Sequence, residues 1–220
     1  KKEGADLVGI PLDQYGMRMD ALEETIGKLG QAGKRPSFIY ALVTYQNPTG
    51  SIMPLERRME LLDIAGRHQI PVVEDHCYAD TVYEDCHEPA LYTLEHQSPV
   101  VHIESLSKIL GPGVRMGYLA APQPLLNEIL KYRRDGGAST LSAAIVYEYF
   151  RENLWDHVGT INNIVREKRD LMFSLLANSS DEFESFSRPK GGLFIWVKLP
   201  EDVDRVALDS LAASRNIDYA

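Results

Sequence analysis

Three short apolar runs, Ser37 to Thr44, Ile70 to Glu74 and Val100 to Ile103, limit what this chain can fold into. Each is rich in β-branched or aromatic residues and ends abruptly in polar ones, the pattern of a buried strand. Tyr118 to Ala121 is an expected fourth. Between the first two runs Pro54 is placed to open a helix reaching about His68, with Leu55, Met59, Leu62 and Ala65 as its expected inward face. Strands alternating with helices predict an α/β fold, a layered domain on a mostly parallel sheet. In such sheets ligands gather beyond the carboxyl ends of the strands.

The flanking segments add less. Residues 5–10 are expected as a strand before a turn through Pro11 and Gly16, and Asp20 to Leu29 as a helix presenting Leu22, Ile26 and Leu29. Gln123 to Arg134 and Ser139 to Phe150 have helical spacing, and a long amphipathic helix is expected from about Trp155 to Leu176. Phe183 to Phe186 and Leu193 to Leu199 read as strands parted by Arg188–Gly192, the second covered on both faces. A last helix is expected from Val203 to Ser214. The long helix is expected to bridge a large domain, residues 1–152, to part of a small α+β domain, residues 153–220.

Three polar clusters follow the strand ends. Asn47 lies in Gln46-Asn-Pro-Thr-Gly50, Asp75 and Tyr78 follow the second run, and Ser105, Ser107, Lys108 and Arg115 follow the third. Serine and arginine are donors suited to phosphate oxygens, and arginine can bind them through two parallel hydrogen bonds. Lys108 sits among these donors, so one ligand could present a phosphate to them and a carbonyl to the lysine. That combination suits a Schiff base to a phosphorylated aldehyde, pyridoxal 5'-phosphate. Each residue also has a plainer reading: Asp75 as a helix N-cap, Tyr78 as a core aromatic, Asn47 as a turn residue. Lys108 and Arg115 could simply flank a Gly-Pro turn. His76 and Cys77, between Asp75 and Tyr78, read as packing residues, as do Phe194 and Trp196.

Composition narrows the partners. A formal net charge of −9 argues against a nucleic-acid surface or an anionic membrane. No apolar run approaches the ~20 residues of a bilayer span. There is no signal-peptide pattern at the start. Two cysteines, Cys77 and Cys86, form neither a disulfide framework nor a metal-ligand spacing, and free thiols in a reducing cytoplasm are expected. Lacking an initiating Met and a closing element, the chain is expected to be a piece of a longer protein.

The clusters, in this order, resemble fold-type I pyridoxal-phosphate enzymes, specifically class I/II aminotransferases of the aminoadipate and kynurenine branch. Asn47-Pro-Thr-Gly50, Asp75-x-x-Tyr78, Ser105-x-Ser-Lys108 with Arg115, and Gly191-Gly-x-Phe-x-Trp196 carry the likeness. It implies that Lys108 is the covalent anchor and proton-transfer group, that Asp75 pairs with the pyridine nitrogen, and that Tyr78 and Asn47 bond the cofactor's 3'-oxygen. Ser105, Ser107 and Arg115 would hold its phosphate. It implies an amino acid and a 2-oxo acid as substrates, a homodimer and a cytoplasmic setting, with Gly136–Thr140 able to reach the partner subunit. The family's phosphate loop and ring-stacking aromatic lie upstream of residue 1, and its carboxylate-binding arginine lies beyond Ala220. The 220 residues alone are therefore expected to bind the cofactor weakly. Two rivals remain open: a lyase or decarboxylase of the same fold, and the effector domain of a transcription regulator, which Pro54-Leu-Glu-Arg-Arg58 resembles. Such regulators commonly replace the asparagine found here as Asn47, which favours the enzyme.

Overall fold

The computed structural model describes residues 4–84, 88–94, 97–134 and 136–219. Its centre is a four-stranded sheet in the order β3 (Ile39–Ala41), β4 (Val72–Asp75), β5 (Val100–Ser105), β6 (Gly117–Ala120). The first three are parallel, with Ile39 opposite Val72 and Val72 opposite Val100. β6 runs antiparallel to β5, with Ser105 opposite Gly117. The expected mostly parallel sheet is thus present, and its three parallel strands end at one edge.

Alternation along the strands separates two faces. Ile39, Ala41, Val72, Glu74, Val100, His102 and Glu104 are buried, whereas Tyr40, Val73, Asp75, Ile103 and Ser105 are less so. The buried face carries helices α1 (Met19–Gln31) and α2 (Leu55–Arg67), whose Leu22, Ile26, Leu61, Leu62, Ile64 and Ala65 complete one apolar core with Met53 and Leu91. α1 is preceded by a small hairpin of β1 (Leu12–Asp13) and β2 (Gly16–Met17), turned by Gly16 at φ 89°. Asp13 accepts from Arg57 of α2 at 2.6 Å, which fastens that hairpin to the layer.

Four expectations change. Residues 5–10 form no strand: Leu7 and Val8 are exposed, and the stretch has no ladder partner among the described residues. In α2 the inward face is Arg58, Leu61, Leu62 and Ala65, while Leu55 and Met59 face solvent. The apolar pattern misled there because an arginine occupies the core. Ser139–Leu176 is one helix, α4 (Thr140–Asn178), since no glycine or proline interrupts Arg151–Leu154. The boundary between residues 152 and 153 falls within it. Leu193–Leu199 contributes only β8 (Val197–Lys198), paired with β7 (Ser185–Phe186), and Leu193 and Trp196 are exposed. Helices α3 (Gln123–Lys131) and α5 (Arg205–Ser214) fall close to expectation.

Arg58 is fully buried. Its Nε donates to Met53 O at 2.8 Å, Nη1 to Pro89 O at 3.0 Å, and Nη2 to Val43 O at 3.1 Å and Thr44 Oγ1 at 2.9 Å. A rigid five-donor fork can meet acceptors from three separate segments at once. Replacing it strands buried carbonyls, each costing about 1–3 kcal/mol. Arg58→Met is therefore expected to lower unfolding stability by about 3 kcal/mol or more, with Arg58→Lys recovering only part. Urea denaturation checks this, and a wild-type midpoint for Arg58→Met would show that water replaces the fork.

Candidate active site

The site lies at the carboxyl edge of the parallel strands. After β3 the chain turns at once: Gln46 N donates to Ser51 O at 2.9 Å, and Thr49 N and Oγ1 both donate to Gln46 Oε1. This compact turn presents Asn47, whose Nδ2 donates to the Tyr78 hydroxyl across 3.4 Å. β4 ends on Asp75, and a turn with Ala79 N bonded to His76 O brings Tyr78 inward. Beyond β5, Ser107 N donates to Ser105 Oγ at 3.3 Å, and the following turn carries Lys108 back over the Tyr78 ring, 5.5 Å from its centre.

Asp75 is held from two sides. The Tyr40 hydroxyl donates to Oδ2 at 2.6 Å, and Cys77 N donates to Oδ1 at 3.2 Å. Burial pushes the Tyr40 phenol well above its ordinary range, and its bond to Asp75 adds to the effect, so Tyr40 stays a donor. Burial pushes the Cys77 thiol up to about 12; hydrogen bonding to Asp75 adds to this and the charge of Lys108 opposes it. The turn that follows Asp75 carries Tyr78, and Lys108 stands over that ring, so the acid and the lysine flank one turn. The Tyr78 phenol is raised chiefly by burial, while the hydrogen bond from Asn47 pulls the other way.

Asn47, Asp75, Tyr78 and Lys108 are therefore gathered, with Ser105 and Ser107 on the turn leading into Lys108. Arg115 is exposed on the same loop, in left-handed backbone at φ 51°, and the loop is closed by Leu106 N bonding Met116 O at 3.0 Å. Neither Lys108 nor Arg115 has a carboxylate partner among the described residues. Two unpaired cations, two serine hydroxyls and an acid braced by a phenol fit a ligand that is anionic at one end and basic at the other. A phosphorylated pyridine aldehyde has that form.

Several participants were not evident from residue types. Tyr40 looks like an ordinary strand residue in the sequence; its sign is a hydroxyl one place before the end of β3, on the face that Asp75 shares. Phe194, read as core, meets the Tyr78 ring edge-on at 5.5 Å. It is brought there by Gly191 and Gly192, which pass so close to Tyr45 that a side-chain carbon on Gly191 would lie 2.2 Å from the Tyr45 ring and 2.4 Å from Thr81 O. Gly192 N donates to that carbonyl at 2.8 Å. α4 ties in through His157 Nε2 at 2.8 Å from Ile109 O, Asn162 Nδ2 donating to Asp80 O at 2.9 Å, and Arg169 Nη1 donating to Pro189 O at 3.2 Å. Cys86 lies outside the described residues.

Fold and site together define an α/β domain that collects a lysine, an acid and a phenol at one edge of its sheet. The sequence matches the model of the family described as aminotransferase class I and II over residues 1–217. The chain belongs to that family. It is 31% identical over 217 residues to aromatic-amino-acid aminotransferase 1 of Thermococcus litoralis, covering 97% of this chain and 52% of that protein. It is 30% identical, also over 217 residues, to an HTH-type transcriptional regulator of Bacillus subtilis, covering 97% of this chain and 44% of the regulator. The crystal structure of LysN, the α-aminoadipate aminotransferase of Thermus thermophilus, complexed with N-(5'-phosphopyridoxyl)-L-leucine, superposes with a TM-score of 0.88 at 29% identity. That match covers 97% of this chain and 55% of LysN. The chain spans about half the length of the relatives it matches.

With its thiol raised to about 12, Cys77 holds little thiolate at pH 8. Alkylation by iodoacetamide is expected to be about three orders of magnitude slower than for a free cysteine there, rising with pH toward 12. Peptide mass spectrometry, which separates Cys77 from Cys86, measures it. Rapid labelling of Cys77 at pH 8 would contradict the described environment.

Proposed function

We propose that this chain carries the central part of the active site of a pyridoxal 5'-phosphate-dependent aminotransferase, moving an amino group between an α-amino acid and a 2-oxo acid. The observation that carries the reading is Lys108 poised over Tyr78, which Asn47 bonds, beside an Asp75 braced by Tyr40. When bound, the cofactor supplies an electron sink for the pair left as the substrate Cα–H bond breaks. Lys108 would anchor it and would supply the amine that takes and returns the substrate Cα proton. Asp75 holds the proton on the pyridine nitrogen, and Tyr40 keeps the carboxylate aimed. Tyr78 and Asn47 orient the ring through its 3'-oxygen, while Ser105, Ser107 and Arg115 take the phosphate. Membership of the family also supports, as part of the same proposal, a homodimer in the cytoplasm acting in amino acid metabolism. It supports a large domain through residue 152 with a small domain after it. No helix among the described residues is long and apolar enough to cross a membrane.

The similarity to a transcriptional regulator keeps one second reading in view, a cofactor-sensing effector domain. Single-turnover spectroscopy on the cofactor-loaded full-length protein separates the two. An α-amino acid without oxo acid is expected to convert bound cofactor to its pyridoxamine form and release one equivalent of 2-oxo acid, and Lys108→Ala is expected to abolish conversion. Binding without conversion would favour the sensor, and release of carbon dioxide a decarboxylase.

Tyr40 provides a finer test. Removing its hydroxyl leaves Asp75 with only the backbone and thiol of Cys77, a loss of about 1.5–3 kcal/mol for a bond to a charged group. Tyr40→Phe is expected to lower the conversion rate by about 10-fold or more with the fold intact. An unchanged rate would remove Tyr40 from the machinery.

A further inference from the structure

On the sheet face opposite Asp75 and Ser105, three side chains converge that the proposed reaction does not use. One ligand atom from each of His76, His102 and Glu104 lies within 4.8 Å of the other two. Nδ1 of His76 is 2.9 Å from Glu104 Oε2, and Nε2 of His102 is 3.8 Å from the same oxygen. Their opposite ends are fixed. His102 Nδ1 stands 2.9 Å from Glu74 Oε2, and Glu104 Oε1 accepts from Ser105 N at 3.1 Å. Glu74 is itself fully buried and locked by the backbone N–H groups of Leu91 at 2.7 Å and Tyr92 at 3.2 Å. Little freedom is left in the set: side-chain exposure is 19% for His76, 10% for His102 and 7% for Glu104.

We propose that His76, His102 and Glu104 bind a divalent transition-metal ion of the zinc type, with Glu74 as the buried carboxylate that orients His102.

Three arguments converge. Two imidazoles and one carboxylate are the mixed nitrogen–oxygen set that zinc takes, with a further position left for water. A ligating histidine ordinarily gives its other N–H to a carboxylate, and Glu74 fills that role from a neighbouring strand, Glu74 being opposite His102 in the β4–β5 register. With Nδ1 fixed on Glu74, His102 turns Nε2 toward Glu104 Oε2 at 3.8 Å, which leaves room for an ion between them. Charge agrees. Glu74 and Glu104 have no lysine or arginine partner among the described residues. A metal here would clamp the ends of β4 and β5, the strands that deliver Asp75 and Ser105 to the other face. Binding through His76 Nδ1 places that ring's one proton on Nε2, so a neutral histidine ligates without net proton release.

Full-length protein stripped with chelator and titrated with Zn²⁺ against a chromophoric competitor is expected to bind one ion per chain. Co²⁺ in its place is expected to give visible d–d bands of a low-coordinate nitrogen–oxygen site. His76→Ala, at the most accessible ligand, and Glu104→Gln are each expected to weaken binding by at least about 10-fold, with circular dichroism confirming the fold. If Glu104→Gln does not fold, His76→Ala alone decides. Absence of saturable one-to-one binding overturns the site. So does binding that survives His76→Ala unchanged, which would assign the ion to other surface histidines or to thiols.

Discussion

Much of the architecture depends on one guanidinium inside the core. Arg58 takes a place on α2 that an aliphatic residue would normally hold, and from there it gathers carbonyls of Val43, Met53 and Pro89. Val43 and Thr44 close the β3 run, so the arginine fixes where that strand stops and the Asn47 turn begins. Pro89 precedes the short helical turn Leu91–Thr93, whose first amides hold Glu74. Burying a charged group of that size is costly unless every donor finds an acceptor. Its position is therefore strongly specified, and the segments it touches share that specificity.

The sheet divides the consequences between its faces. Residues of odd and even parity along β4 and β5 work apart: Asp75 and Ser105 face the lysine, while Glu74, His102 and Glu104 form a polar layer beneath. Parallel pairing makes this possible, because Asp75 opposite Ile103 leaves the end of β4 only two residues short of Ser105 at the end of β5. A slip of one residue would exchange the faces and turn the acid inward. Gly117 guards the pairing from the far side, since a side-chain carbon there would lie 2.5 Å from Glu104 O.

Most of the strands and helices were legible because period and punctuation agreed: Leu22 and Ile26 at helical spacing, Pro54 before α2, and β-branched Val72, Val73, Val100 and Val101. The site was legible because its residues lie directly after the strands that position them. What escaped followed from tertiary contacts. Arg58 looks like a surface residue until three carbonyls converge on it, and Leu55 and Met59 look like core until it displaces them. Tyr40 gains its role from Asp75, thirty-five residues on. Leu193–Leu199 alternates like a covered strand, yet only Val197 and Lys198 pair in the ladder, because the preceding Gly191 and Gly192 thread past Tyr45.

The unbroken course of α4 has a mechanical consequence. Its 39 residues make a rod about 58 Å long. His157 grips the carbonyl of Ile109, next in sequence to Lys108, while twelve positions along the rod Arg169 grips the carbonyl of Pro189 at 3.2 Å, just ahead of the glycines that carry Phe194 to Tyr78. Lysine loop and aromatic lid therefore hang from one lever. Tilting that beam would carry the Lys108 turn and the Phe194 segment together.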